Sequence, residues 1–96
     1  MLKTQDIVNK ANEDFVKFKA RLMHLGKEQI FQQSEKIEFS KKVRRYMTDT
    51  SRLYDNDICH TIIDMGNIYD VFYNYYKENP RTVEDVFISI ITTYRY

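Results

Sequence analysis

The sequence predicts an all-α fold, a compact bundle of five or six short helices forming a single domain over residues 1–96. Three observations carry that prediction. The chain contains only two glycines and one proline, too little of the turn chemistry that repeated hairpins demand. Apolar residues recur at alternating spacings of three and four, the period of one helix face. Small polar residues that cap helices stand immediately before those apolar runs.

The first helix has the clearest pattern. Thr4 is placed to cap it, and Ala11, Phe15, Phe18, Leu22 and Leu25 follow as one stripe. Lys10, Lys17, Lys19 and Arg21 lie off the stripe, and Gly26 is expected to end the helix at positive φ. A second helix is expected from Lys27 or Glu28, with Ile30, Ser34 and Ile37 on one face and Phe31 beside it. Phe39–Met47 is helical in character as well. The pattern leaves open whether residues 27–48 form one helix or restart at Ser40. Thr48-Asp49-Thr50-Ser51 reads as a loop, because small polar side chains compete with the helical backbone.

Asp55 is a cap for a short helix through Ile58, Ile62 and Met65, ended by Gly66. Asn67 caps the next, which carries Ile68, Val71, Phe72 and Tyr75 and stops at Asn79-Pro80. Thr82 with Asp85 is a variant capping box that opens Val83–Tyr94, with Val83, Val86 or Phe87, Ile90 and Tyr94 toward the core. The run Val86–Ile91 is β-branched enough for a strand, but the cap and the lack of a pairing partner favour helix.

Composition narrows the functional classes. A hydrophobic fraction of 43% with a net charge of +1 suits a folded domain and not a disordered chain. The single cysteine, Cys59, cannot form an internal disulfide, residues 1–6 lack the apolar core of a secretory signal, and no run approaches the ~20 apolar residues of a membrane span. A cytoplasmic protein with no membrane partner is expected. Charge is unevenly distributed: residues 1–48 carry 11 Lys and Arg against 6 Asp and Glu, residues 49–96 carry 4 against 8.

Catalytic and metal chemistry find little support. His24, Cys59 and His60 are the imidazole and thiol ligands of the chain, and neighbouring helical positions point about 100° apart. Cys59 therefore reads as a small core residue and His60 as solvent-facing. The serines at 34, 40, 51 and 89 sit on no strained glycine turn, and Glu13-Asp14, Asp55/Asp57 and Glu84-Asp85 are read as a solvated helix pair and two helix N-termini. The expectation is a protein without enzymatic activity, metal or cofactor.

Two surfaces remain. One is basic: Lys36, Lys41, Lys42, Arg44 and Arg45 place five cations within ten residues, where they could neutralise phosphates while Tyr46 stacks on a base. The other is aromatic and acidic. Tyr69, Tyr73 and Tyr76 stand about 110–120° round the helix from the Ile68/Phe72/Tyr75 stripe. They form either a broad flank of the core or an exposed ridge, beside Asp64, Asp70 and Glu78. Tyrosine is enriched in interfaces because it joins a large apolar area to a polar tip. Tyr94 and Tyr96 are expected to extend that patch, which would also suit a homo-oligomer.

The order of elements resembles a known type. Phe15-Val16-Lys17-Phe18, Leu22, Leu25-Gly26-Lys27-Glu28-Gln29-Ile30-Phe31 and Ser34-Glu35-Lys36-Ile37, followed by Ile58, Ile62-Ile63, Ile68-Tyr69-Asp70-Val71-Phe72, Tyr76, Val83-Glu84-Asp85-Val86 and Ile90, carry the likeness. Over about residues 8–94 they resemble a small helical domain-of-unknown-function family of bacterial conjugative elements and phages, with Ser34-Glu35 where that family has an Ala-Tyr pair. The resemblance implies a mobile-element protein that binds a host protein, such as an anti-CRISPR-like inhibitor of a defence nuclease, with Cas9 as an example. On that expectation the tyrosine-acidic face is the interface, and the alternative is a nucleic-acid-binding accessory protein using residues 36–45.

Overall fold

The computed structural model describes residues 4–50 and 53–94. They form six helices: α1 (Thr4–Met23), α2 (Lys27–Gln32), α3 (Ser34–Thr50), α4 (Asn56–Asp64), α5 (Ile68–Glu78) and α6 (Val83–Tyr94). Helix α5 packs against α1, α3 and α6, α3 against α1, α2, α5 and α6, and α4 against α1 and α6. The core gathers Ile7, Ala11 and Phe18 of α1 with Phe39, Val43 and Met47 of α3, then Cys59, Ile62, Ile68, Tyr69, Phe72, Val86, Phe87, Ile90 and Ile91. None of the helices is long and apolar enough to cross a membrane.

Several boundaries follow from local chemistry. Asp55 accepts the Ile58 N–H at 2.8 Å and starts α4. Asn67 accepts the Tyr69 N–H at 3.0 Å and starts α5. Thr82 accepts the Asp85 N–H at 3.2 Å at the head of α6, whose buried face is Val86, Phe87, Ile90 and Ile91. Ile7 and Ile91 join the core beyond the residues the apolar stripes single out.

Other boundaries differ from expectation. Gly26 does not sit at positive φ; at φ −71° and ψ 163° it is the N-cap of α2, its N–H donating to Gln29 Oε1 at 3.2 Å. Gly66 is likewise not at positive φ. Residues 27–48 divide at Gln33, and α3 runs unbroken through Ser40. Thr48, Asp49 and Thr50 are helical and not a loop, while Ser51 lies outside the described residues. The Thr50 hydroxyl donates to the Tyr46 carbonyl at 2.7 Å and shares a 2.6 Å bond with the Tyr54 hydroxyl. Tyr54 stacks on Phe87 with centroids 5.1 Å apart, so tertiary contacts hold the last turn of α3 against its weak propensity.

Of the pair Glu13-Asp14, Glu13 is exposed as expected, but Asp14 is not. Asp14 is buried at 5% exposure and accepts the Ile68 N–H at 3.1 Å across 54 residues of chain. Lys10 pairs with the same carboxylate at 3.1 Å and donates to the Gly66 carbonyl at 3.2 Å. Asn67 donates to the Asp14 carbonyl at 3.0 Å. Helix α1 thereby holds the α4–α5 turn and places a carboxylate at the N-terminus of α5, where the helix dipole favours it.

Candidate functional site: a basic groove between α1 and α3

Helices α1 and α3 lie side by side with a groove of about 420 Å³ between them, lined by Val8, Asn12, Phe15, Lys41, Arg44, Arg45, Thr48 and Asp49. Val8, Asn12, Phe15 and Lys19 follow one another at steps of four, three and four and so share a stripe of α1. Lys41, Arg44, Arg45 and Thr48 share one of α3 for the same reason. The core-facing residues are Ile7, Ala11 and Phe18 on α1, about a quarter-turn from the groove stripe, and Phe39, Val43 and Met47 on α3. The hydrophobic stripes of the two helices therefore decide which cations meet outside.

Arg44 is held in place. Its Nε and Nη2 donate to Asn12 Oδ1 at 3.3 and 3.1 Å, and its guanidinium lies 4.7 Å from the Phe15 ring centroid. Two of five N–H donors are used, leaving three. Lys19 lies 5.8 Å from the same ring, which meets Tyr69 edge-on at 5.3 Å and Phe18 at 6.1 Å. Lys41 is 3.4 Å from the exposed Glu38 carboxylate, and Arg45 and Lys42 are exposed. Asp49 is the carboxylate among the lining residues, against three cations.

The basic stretch seen in sequence is thus split. Lys41, Arg44 and Arg45 line the groove. Lys42 lines a different cleft, with Glu35, Glu38, Phe39, Tyr76, Pro80, Arg81, Thr82 and Val83. Lys36 turns inward and pairs with Asp70 at 2.6 Å. Tyr46 is half-buried and its ring is tilted against Phe87 at 5.5 Å; it does not line the groove. Asn12, Phe15 and Lys19 were not singled out as site residues; their shared spacing on α1 is the signal that pairs them with α3 once the two helices are adjacent.

The tyrosine series divides as well. Tyr69 has no exposed surface, and its hydroxyl donates to the Ala11 carbonyl at 2.7 Å. Burial raises its pKa above the ordinary tyrosine value, with Asp14 adding to the rise and Arg44 opposing it. Tyr73 and Tyr76 are half-buried; Tyr76 stacks on Phe39 at 4.3 Å and Tyr73 on Tyr76 at 6.0 Å. The Tyr73 hydroxyl donates to Glu35 at 3.3 Å. A ridge of three exposed tyrosines therefore does not form. An isolated helix needs one buried stripe, but α5 lies between α1, α3 and α6 and buries two. Asp64 and Glu78 are exposed, and the Tyr94 and Tyr96 side chains lie outside what is described.

Asp70 is committed within the fold. Arg21 lies 3.0 Å away and Lys36 2.6 Å away. Burial alone raises the carboxyl's pKa, but the hydrogen bonds and charges of Arg21 and Lys36 outweigh it and hold it below the ordinary 3.8. A depressed folded-state pKa stabilises above the unfolded value, and that stability is lost as pH falls through the folded value. Asp70→Asn is expected to cost about 1 kcal/mol near neutral pH, discounted for partial exposure. In urea melts the gap to the parent should narrow as pH drops below 3.8; a gap constant down to acid pH would contradict the assignment.

Cys59 is buried and His60 exposed. Burial raises the Cys59 thiol's pKa, with Asp55 and Asp6 adding to the rise, so the thiolate that reacts or ligates is disfavoured. Among the described residues no group of three or more His, Cys, Asp or Glu is placed to hold a metal ion. No protein-family model matches the chain, and neither the curated proteins nor the solved structures include a significant match to it.

Proposed function

We propose that this chain is a non-catalytic nucleic-acid-binding accessory protein that holds a phosphate backbone in the α1–α3 groove. The observation that carries the reading is the fixing of Arg44 by Asn12 and Phe15 beside Lys41 and Arg45. A guanidinium already ordered by its neighbours loses less entropy on meeting a phosphate, and its planar fork matches phosphate oxygens. A gel-shift assay at low salt is expected to show retention of DNA or RNA that disappears in Arg44→Glu/Arg45→Glu. Both side chains are exposed, and a thermal melt of the variant checks that folding survives. No retention of either nucleic acid at low salt sinks the reading.

One observation favours a second reading, a module that binds a host protein such as a defence nuclease. A cleft of about 520 Å³ brings the Phe39, Tyr76, Pro80 and Val83 side chains together with Glu35, Glu38, Lys42 and Arg81. Aromatic and apolar area rimmed by charges of both signs suits a protein surface. Capture of a nuclease that is lost on Tyr76→Ala, with the Arg44→Glu/Arg45→Glu protein still competent, would favour this reading over the first.

A further inference from the structure

Resting on the reading of the α1–α3 groove as a nucleic-acid site, we propose that its ligand is a double helix, gripped by the phosphate backbone without regard to sequence. Single strands are held by a cationic groove combined with aromatic rings on which successive bases stack. The aromatic residue lining this groove is Phe15, and its surroundings are already filled. Arg44 and Lys19 lie 4.7 and 5.8 Å from its centroid, and Tyr69 and Phe18 meet it edge-on. Tyr46, on the helix that carries the cations, packs on Phe87. A base entering the groove finds no free ring among the described residues lining it.

Base-edge reading is limited by the same economy of contacts. A side-chain amide reads adenine with its oxygen and nitrogen together. Asn12 is the amide lining the groove, and its oxygen is engaged by both Nε and Nη2 of Arg44. What remains available is cationic: Lys41, Arg44 and Arg45, which span about 6 Å along α3. Contacts of these cations with phosphate oxygens position a protein on nucleic acid and carry no sequence information.

Charge density then selects the duplex. Double-stranded DNA carries one charge per about 1.7 Å of axis, and each neutralised phosphate releases about 0.9 counterion against about 0.7 for a single strand. With a small, fixed set of cations and no stacking to compensate, the denser polyanion binds more tightly.

The test is fluorescence anisotropy on the full chain, using a labelled duplex of about 20 base pairs, a second duplex of unrelated sequence, and each separated strand. The two duplexes should bind alike and each single strand more weakly. For three phosphate contacts, duplex affinity should fall about 40-fold between about 50 and 200 mM salt. Lys41→Glu/Arg45→Glu, two exposed positions, should abolish duplex binding. Single strands bound as tightly as the duplex would overturn the proposal, as would a preference of about tenfold or more between duplexes, which is the range of base-specific contacts. Either result leaves the groove's nucleic-acid role standing. Binding to none of these ligands removes both that role and this inference.

Discussion

Tyr69→Ala is expected to destabilise the protein by about 3–5 kcal/mol, the range for deleting a large buried aromatic side chain. The ring has no exposed surface and touches Phe15 and Phe18, so its removal opens a cavity where α1 and α5 meet. A domain of this kind has a total stability of about 5–15 kcal/mol, so the loss takes a large share of it. Tyr69→Phe separates the hydroxyl from the ring: it should cost about 1 kcal/mol by leaving the Ala11 carbonyl without its donor. Tyr73→Ala and Tyr76→Ala, at half-buried positions, should each cost less than Tyr69→Ala. Urea melts followed by far-UV circular dichroism read all four variants. A Tyr69→Ala protein as stable as Tyr76→Ala would contradict the placement of Tyr69 in the core.

Asp14→Ala is expected to cost about 2–3 kcal/mol, the range for leaving a buried polar partner of a charged group unpaired. The substitution strands the Ile68 N–H at the head of α5 and leaves Lys10 without its carboxylate. It also removes a negative charge from a helix N-terminus. Asp14→Asn retains an acceptor for Ile68 and should recover part of the loss, whereas Glu13→Ala, one residue away and exposed, should be nearly neutral. Hydrogen exchange adds a local readout: amides in the first turn of α5 should lose protection in Asp14→Ala ahead of those in α6. Equal effects of Asp14→Ala and Glu13→Ala would mean that the long-range cap contributes nothing.

These two residues show how far the sequence could be read. Tyr69 belongs to a regular 4-and-3 series with Tyr73 and Tyr76, and periodicity alone assigns all three the same fate. Their fates differ because α1 covers one part of that face, while nearer the end of α5 the cover is Phe39 of α3. Asp14 sits beside Glu13 in a polar stretch with nothing local to distinguish it. Its partner is 54 residues away. The groove has the same character: Lys41, Arg44 and Arg45 are legible as a basic run, but Asn12 and Phe15, which order Arg44, are neighbours of that run only in space.

The sequence by itself determined the all-α class, the apolar stripes, and the caps at Asp55, Asn67 and Thr82. Each of these rests on interactions within a few residues of chain, where spacing translates directly into geometry. Tertiary structure alone decided that α5 packs a second stripe, from Tyr69 to Tyr76, against its neighbours. It decided that α3 extends to Thr50, because Tyr54 and Phe87 reach its last turn. It also decided which cations stay available: Lys36 was turned to Asp70, while Arg44 was turned to Asn12 with donors to spare. The physical reason is common to all three. Burial and charge pairing depend on what packs alongside an element, and a helix's own period says only which residues share a face, not what that face will meet.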